Sequence, residues 1–129
     1  MCVETDAGFW LVLGLMILLF PMGFLMGLLL AALIHELGHL LAVRLMGGEV
    51  LRIRLHAGGA RMETSALEPV RMAMCALAGP AAGALCVLAW RWFPELAVAG
   101  AVQSIFNLLP VPPLDGWVLL SCIFRRKRN

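Results

Sequence analysis

Charged residues are scarce in this chain of 129 residues. They make up 14% of it, whereas soluble domains carry about 25%, and residues 7–34 contain none. Hydrophobic residues reach 62%, which excludes a soluble globular protein because so short a chain has mostly surface to cover. The net charge is only +2, so a nucleic-acid-binding protein of the usual basic kind is excluded too. A membrane protein is the class that remains.

Closely spaced cysteine pairs are also missing. The C-x-x-C spacing typical of zinc and redox sites occurs nowhere among the four cysteines, which are Cys2, Cys75, Cys86 and Cys122. We predict that they are small apolar side chains without disulfides.

Long apolar stretches predict the membrane helices. One straight helix over residues 7–34 would be about 42 Å long, more than a hydrocarbon core of about 30 Å, and Pro21 and Gly23 favour a break. The sequence therefore predicts helices over about residues 8–20, 23–46 and 70–92, and a last helical segment over 96–124 that contains several prolines.

A β-hairpin is predicted over residues 50–64, between the second and third helices. Leu51, Ile53 and Leu55 alternate with polar residues, which is the period of a half-exposed strand, and Gly58-Gly59 supplies a turn. We predict an all-α membrane protein with about four transmembrane or partly spanning helices and this small hairpin, in a single membrane-embedded domain of residues 1–129. An exposed strand edge in the hairpin would offer main-chain pairing to another extended chain.

Basic residues predict the orientation. Five arginines lie in and around the loop between helices two and three, and four basic residues lie close to the C-terminus. Two predicted spans separate these groups, so the positive-inside rule puts both on the cytosolic side. We expect a multi-pass protein of the cell membrane with a cytosolic C-terminus. Whether the first helix spans fully, and so where Met1 lies, is left open.

One cluster of ionisable residues interrupts the second helix, His35-Glu36-Leu37-Gly38-His39. Charged groups inside a bilayer are costly and usually mark function. Residues four apart share a helix face, so both imidazoles can reach one zinc ion. Glu36 lies beside them, close enough to touch a metal-bound water. This HExxH pattern is the metalloprotease arrangement, in which the glutamate is the general base.

A catalytic zinc needs a third protein ligand, for which Asp115, His56 and the cysteines are candidates. Asp115 is preferred because its depth in the membrane matches that of the histidines. It precedes the basic Arg125 by ten residues, and His39 precedes the basic Arg44 by five. Asp115 and His39 are therefore both expected just below the cytosolic surface. The irregular segment 107–116 is tolerated at that depth only against protein or a wet cavity. The simpler alternatives are a helix N-cap for Asp115 and a polar strand face for His56.

These motifs resemble the site-2 protease family of intramembrane zinc metalloproteases. HELGH lies in an apolar helix, Gly79-Pro80 follows in the next, and NLLPVPPLDG begins at Asn107, so the resemblance covers residues 23–124. The lack of a PDZ-sized insertion resembles the short branch that contains the stage IV sporulation protease. The resemblance implies one Zn²⁺ per chain, bound by His35, His39 and Asp115. It also implies that Glu36 is the general base and that Asn107 contacts the substrate backbone or the developing oxyanion.

The resemblance also implies the function, hydrolysis of membrane-anchored proteins near the cytosolic side of the bilayer. The alternative is a non-enzymatic membrane protein, a degenerate relative that binds a metal or a partner helix. Glu36 favours the enzyme, because a relative without activity could lose its base freely. The expected partners are the lipid bilayer and a membrane-anchored protein substrate, without nucleic acid. An oligomer or a regulatory membrane partner is left open.

Overall fold

The computed structural model describes residues 2–126. Its helices are α1 (Ala7–Leu19), α2 (Met22–Leu45), α3 (Pro69–Leu85), α4 (Pro94–Asn107) and α5 (Asp115–Arg126). A 3₁₀ turn, Cys86–Ala89, continues α3. Its strands are β1 (Cys2–Thr5), β2 (Val50–His56) and β3 (Gly59–Thr64).

Helices α2, α3 and α4 pack against one another, and α5 packs against α3. Small side chains make this approach possible: a Cβ on Gly38 of α2 would lie 2.6 Å from the carbonyl oxygen of Ala78 in α3. Small residues commonly mediate close helix packing in membranes, where apolar burial between helices gains little. The backbone of α3 is thereby brought against the face of α2 that carries the histidines.

Within residues 2–126, two segments are long and apolar enough to cross a membrane, Met22–Leu45 and Pro69–Ala89. Helix α1 is shorter, and none of its residues is buried. Its 13 residues reach about 20 Å, which is less than a hydrocarbon core of about 30 Å. The side chain of Asp6 caps α1 by accepting a hydrogen bond of 2.8 Å from the backbone N–H of Phe9.

The predicted hairpin is present, but it belongs to a three-stranded sheet in the order β1-β2-β3. Strand β1 was not predicted; it pairs in parallel with β2, while β2 and β3 are antiparallel. Its Glu4 contacts Arg52 at 3.4 Å and Arg54 at 3.3 Å, both in β2. A strand of four residues has too short a pattern to recognise, because its partner lies some fifty residues away.

The prediction of about four helices is corrected to five among the described residues, because the last segment, 96–124, is two helices. Helix α4 ends at Asn107 and α5 begins at Asp115, with three prolines in the turn between them. Proline lacks the N–H that a helix needs, so this segment cannot continue as one helix. The third helix also ends earlier than the predicted residue 92, through the 3₁₀ turn to Ala89.

Candidate metal centre

Three side chains from two helices converge on one point. His35 and His39 lie one turn apart on α2, and Asp115 is the first residue of α5. The Nε2 atoms of the two histidines are 3.1 Å apart, and the Oδ2 atom of Asp115 lies 3.2 Å from that of His35 and 3.1 Å from that of His39. Each residue offers one ligand atom to the group, which is placed to hold a metal ion.

The geometry of this triangle fits a tetrahedral ion. Ligands at about 2.0–2.1 Å from a tetrahedral zinc are about 3.3 Å from one another, close to the 3.1–3.2 Å separations seen here. Two histidines and one carboxylate also form a known ligand set of catalytic zinc, which leaves the fourth position open for water or substrate.

The ring of His39 is oriented for ligation. Its Nδ1 atom lies 2.8 Å from the backbone oxygen of Cys75, and because a carbonyl only accepts, Nδ1 carries the proton and donates it. With the proton on Nδ1, a neutral ring has its lone pair on Nε2, the atom that faces the centre. Metal-binding histidines are commonly fixed in this way by a backbone carbonyl.

Gly79 of α3 provides the space for this ring. A Cβ at residue 79 would overlap the imidazole of His39. Helix α3 continues through Pro80, so Gly79 stays in regular helix while it contacts one of the candidate ligands. Sequence reasoning did not predict this contact, because the register between α2 and α3 decides which residue faces which.

His35 and Asn107 meet at the buried end of the centre. His35 is only 2% exposed, and its Nε2 atom lies 3.1 Å from Nδ2 of Asn107, the last residue of α4. The side-chain amide is therefore beside the point where the three ligand atoms converge. The structure brings together all five residues singled out from the sequence, since Glu36 lines the same cavity.

That cavity has a volume of about 640 Å³. Its walls come from α2, the hairpin, α3, α4 and α5, with Phe9 of α1 at one side. Glu36, Gln103 of α4 and the hairpin turn around Gly58 all face it. A cavity of this size can admit a few residues of peptide beside the group of ligand atoms.

The other candidate ligands lie outside the triad. His56 lines the cavity wall in the hairpin, where its Nδ1 atom accepts a hydrogen bond of 3.0 Å from the N–H of Gly58. The four cysteines are free thiols, and none belongs to the group of ligand atoms. Asp115 is therefore the third member of the group.

Comparison with known proteins depends on the fold alone. No family model matches the chain, and no curated protein matches it by sequence. The solved structure of the site-2 protease from Methanocaldococcus jannaschii superimposes with a TM-score of 0.78 at 23% sequence identity. The match covers 97% of this chain and 68% of the other.

The chain has the site-2 protease fold. The resemblance predicted from its motifs is therefore confirmed at the level of the fold, and its place in the short branch stays a prediction. The motif residues now occupy one cavity of this fold: His35 and His39 from α2, Asn107 from the end of α4, and Asp115 from the start of α5.

Proposed function

We propose that this chain is an intramembrane zinc metalloprotease that hydrolyses membrane-anchored proteins near the cytosolic side of the bilayer. One observation carries the proposal: Nε2 of His35, Nε2 of His39 and Oδ2 of Asp115 converge in a cavity that Glu36 also lines. Structural metal sites are closed by four protein ligands, whereas catalytic sites keep a position open.

Each residue of the centre has a role in this proposal. Zinc, when bound, supplies a water of lowered pKa and polarises the scissile carbonyl. Glu36 accepts the proton of the attacking water and passes it to the nitrogen of the leaving amine. The amide of Asn107 donates a hydrogen bond to the carbonyl oxygen as it gains negative charge.

The edge of β3 is the proposed guide for the substrate. The oxygen of Leu55 in β2 accepts a hydrogen bond of 3.0 Å from the N–H of Asp6, so the backbone of Leu55 faces the β1 side. In an antiparallel ladder, Ala60 opposite Leu55 then directs its own N–H and C=O away from β2. The same alternation applies to Met62, which is opposite Ile53.

Ala60 and Met62 therefore offer main-chain groups at an edge that is unpaired among the described strands, and both residues line the cavity. A peptide segment that leaves its helix inside the bilayer needs partners for its own N–H and C=O groups. Strand addition on β3 would supply them and would extend the segment towards the metal centre.

The proposed location is the cell membrane, with the sheet and the C-terminus on the cytosolic side. Many large apolar side chains on the outer faces of the helices are exposed, Leu18 at 83% and Leu88 at 76% among them, which suits contact with lipid. The arginine-rich loop after α2 forms the sheet, and β1 pairs within it. The N-terminal strand therefore lies on the same side, and α1 leaves that side before α2 returns to it.

The direct test is cleavage of a single-span synthetic peptide by the purified chain in detergent, followed by mass spectrometry. We expect cleavage by the zinc-loaded chain, loss of cleavage after chelation, and recovery when zinc is restored. Zinc bound at one equivalent without cleavage of any peptide in a varied panel would favour the non-enzymatic alternative.

A further inference from the structure

The side-chain amide of Gln103 lines the cavity but has no role in the proposed mechanism. It lies on α4, and it lines the cavity together with Glu36 and Asn107. Its Oε1 atom is buried and has no hydrogen-bond partner among the described residues. Because a buried polar atom without a partner destabilises the fold, an acceptor kept in this position needs an explanation.

The position of Gln103 relative to Asn107 restricts what it could bind. The two residues are four apart on α4, so their side chains share one face and are separated by about 6 Å along the helix axis. Asn107 is at the metal centre, with Nδ2 3.1 Å from Nε2 of His35. The amide of Gln103 is therefore about one helical turn from the reacting carbonyl.

That spacing matches an extended peptide. An extended chain advances about 3.3 Å per residue, so about 6 Å corresponds to two residues. Helix α4 runs towards the centre and ends there, so Gln103 lies further from the cytosolic side than Asn107 does. A substrate that passes both amides has left its helix for about two residues on the membrane side of the scissile bond.

Such a substrate offers what Oε1 lacks. Each unwound residue inside the bilayer has an N–H that has lost its helical acceptor and needs a new one. Rotation about the terminal side-chain torsion, which is broad for glutamine, turns the amide towards a bound chain. The unpartnered acceptor of the protein and the unpartnered donor of the substrate then satisfy each other.

We propose that Gln103 is a substrate-binding residue whose side-chain oxygen accepts the backbone N–H about two residues from the scissile carbonyl, on the membrane side. This inference rests on the proposed protease function. At that position the substrate is bound through its unwound main chain, so binding there does not depend on the identity of its side chains.

The test measures binding apart from cleavage. The probe is a fluorescent synthetic peptide with one apolar span of leucine and alanine, broken by a central Gly-Pro, and its cleavage site is first located with the zinc-loaded wild type. Affinity is then measured by anisotropy on zinc-loaded Glu36→Gln protein in detergent micelles. A peptide series replaces one backbone amide at a time by an ester, which removes a single N–H.

We expect one ester position, about two residues from the scissile bond, to weaken binding about tenfold. Adding Gln103→Met should weaken binding of the all-amide peptide by a similar factor. In that variant the sensitive ester position should no longer affect binding, while the other ester positions should behave as before. The matched control is Val102→Met, on the exposed face of the same turn, which should leave affinity and zinc content unchanged.

Two results would overturn the inference. One is an ester series in which no position on the membrane side weakens binding. The other is that the ester and Gln103→Met weaken binding independently, so that their combined loss of affinity is the product of the two separate losses. Even if the methionine variant does not fold, an ester series without a sensitive position on the membrane side would still overturn the inference. A peptide that binds to the Glu36→Gln protein but is never cleaved by the wild type would contradict the protease function instead. The contact would then be decided by whether Gln103→Met abolishes the effect of one sensitive ester position.

Discussion

Beside the candidate metal centre, helices α2 and α3 pack closely at Gly38 and Gly79, whereas the three-stranded sheet is open and charged. A Cβ on Gly38 or Gly79 would overlap atoms of the neighbouring helix, and His35 is almost completely buried. The sheet instead carries Glu4, Arg52 and Arg54 as half-exposed ion pairs of 3.3–3.4 Å.

This difference matches the two tasks proposed for the molecule. Ligand atoms must hold their positions to within a few tenths of an ångström, and tight packing of small residues achieves that. A surface that accepts different substrate chains by main-chain pairing needs free N–H and C=O groups rather than a fixed set of side-chain contacts. Substitutions should therefore have large effects at the centre and small effects in the sheet, with the edge of β3 in between.

The largest effect is expected from the double variant His35→Ala, His39→Ala. It removes two of the three ligand atoms, so zinc should fall from about one equivalent to near zero, and cleavage should fall with it. Metal analysis of the detergent-purified protein measures this. A double variant with the zinc content of the wild type would show that the ion binds elsewhere.

Gly79→Ala tests the packing around the centre. The new methyl group would collide with the ring of His39, so we expect destabilisation of about 1–3 kcal/mol and a weaker affinity for zinc. Thermal unfolding and zinc titration measure the two effects. Gly14→Ala in α1 is the matched control: nothing lies within 4 Å of its added Cβ, so it should be neutral or slightly stabilising. Equal behaviour of the two variants would contradict the description of a tightly packed centre.

Met62→Pro tests the edge of β3. The N–H that proline removes points away from β2, so the sheet should persist while substrate pairing loses one donor, and cleavage should fall about tenfold. Met62→Ala keeps the N–H and should retain most of the activity. Equal cleavage by both variants, with equal zinc content, would rule out strand pairing at this residue.

The smallest effect is expected from Glu4→Gln. Both ion pairs of Glu4 are half-exposed, and such pairs contribute about 0–1 kcal/mol, less in high salt. Thermal unfolding at low and high ionic strength measures the loss. A loss well above this range would show that charge, and not the strand ladder, holds β1 in place.

Prediction from the sequence succeeded where spacing along one helix decided the geometry. His35 and His39 share a face because they are four residues apart, and the prolines after Asn107 predicted a break at the depth of the histidines. Asp115 could be ranked first among the candidate ligands by depth alone.

Prediction failed where contacts between distant segments decided the outcome. Strand β1 forms only because β2 is beside it, and Gly79 faces His39 only because of the register between α2 and α3. Gln103 gave no signal in the sequence, because a single glutamine in an apolar helix has no recognisable spacing. Its missing hydrogen-bond partner became visible only with the surrounding residues in place.

The central claim, that this centre is a catalytic zinc site with Glu36 as its base, is tested most directly by Glu36→Gln with zinc content and cleavage rate measured on the same sample. Glutamine keeps the size and a hydrogen-bonding oxygen but cannot accept the proton. We predict wild-type zinc content and a rate lower by about 10²–10⁴ or more. Cleavage at the wild-type rate would contradict the assignment of the base, and loss of zinc would show instead that Glu36 holds the metal.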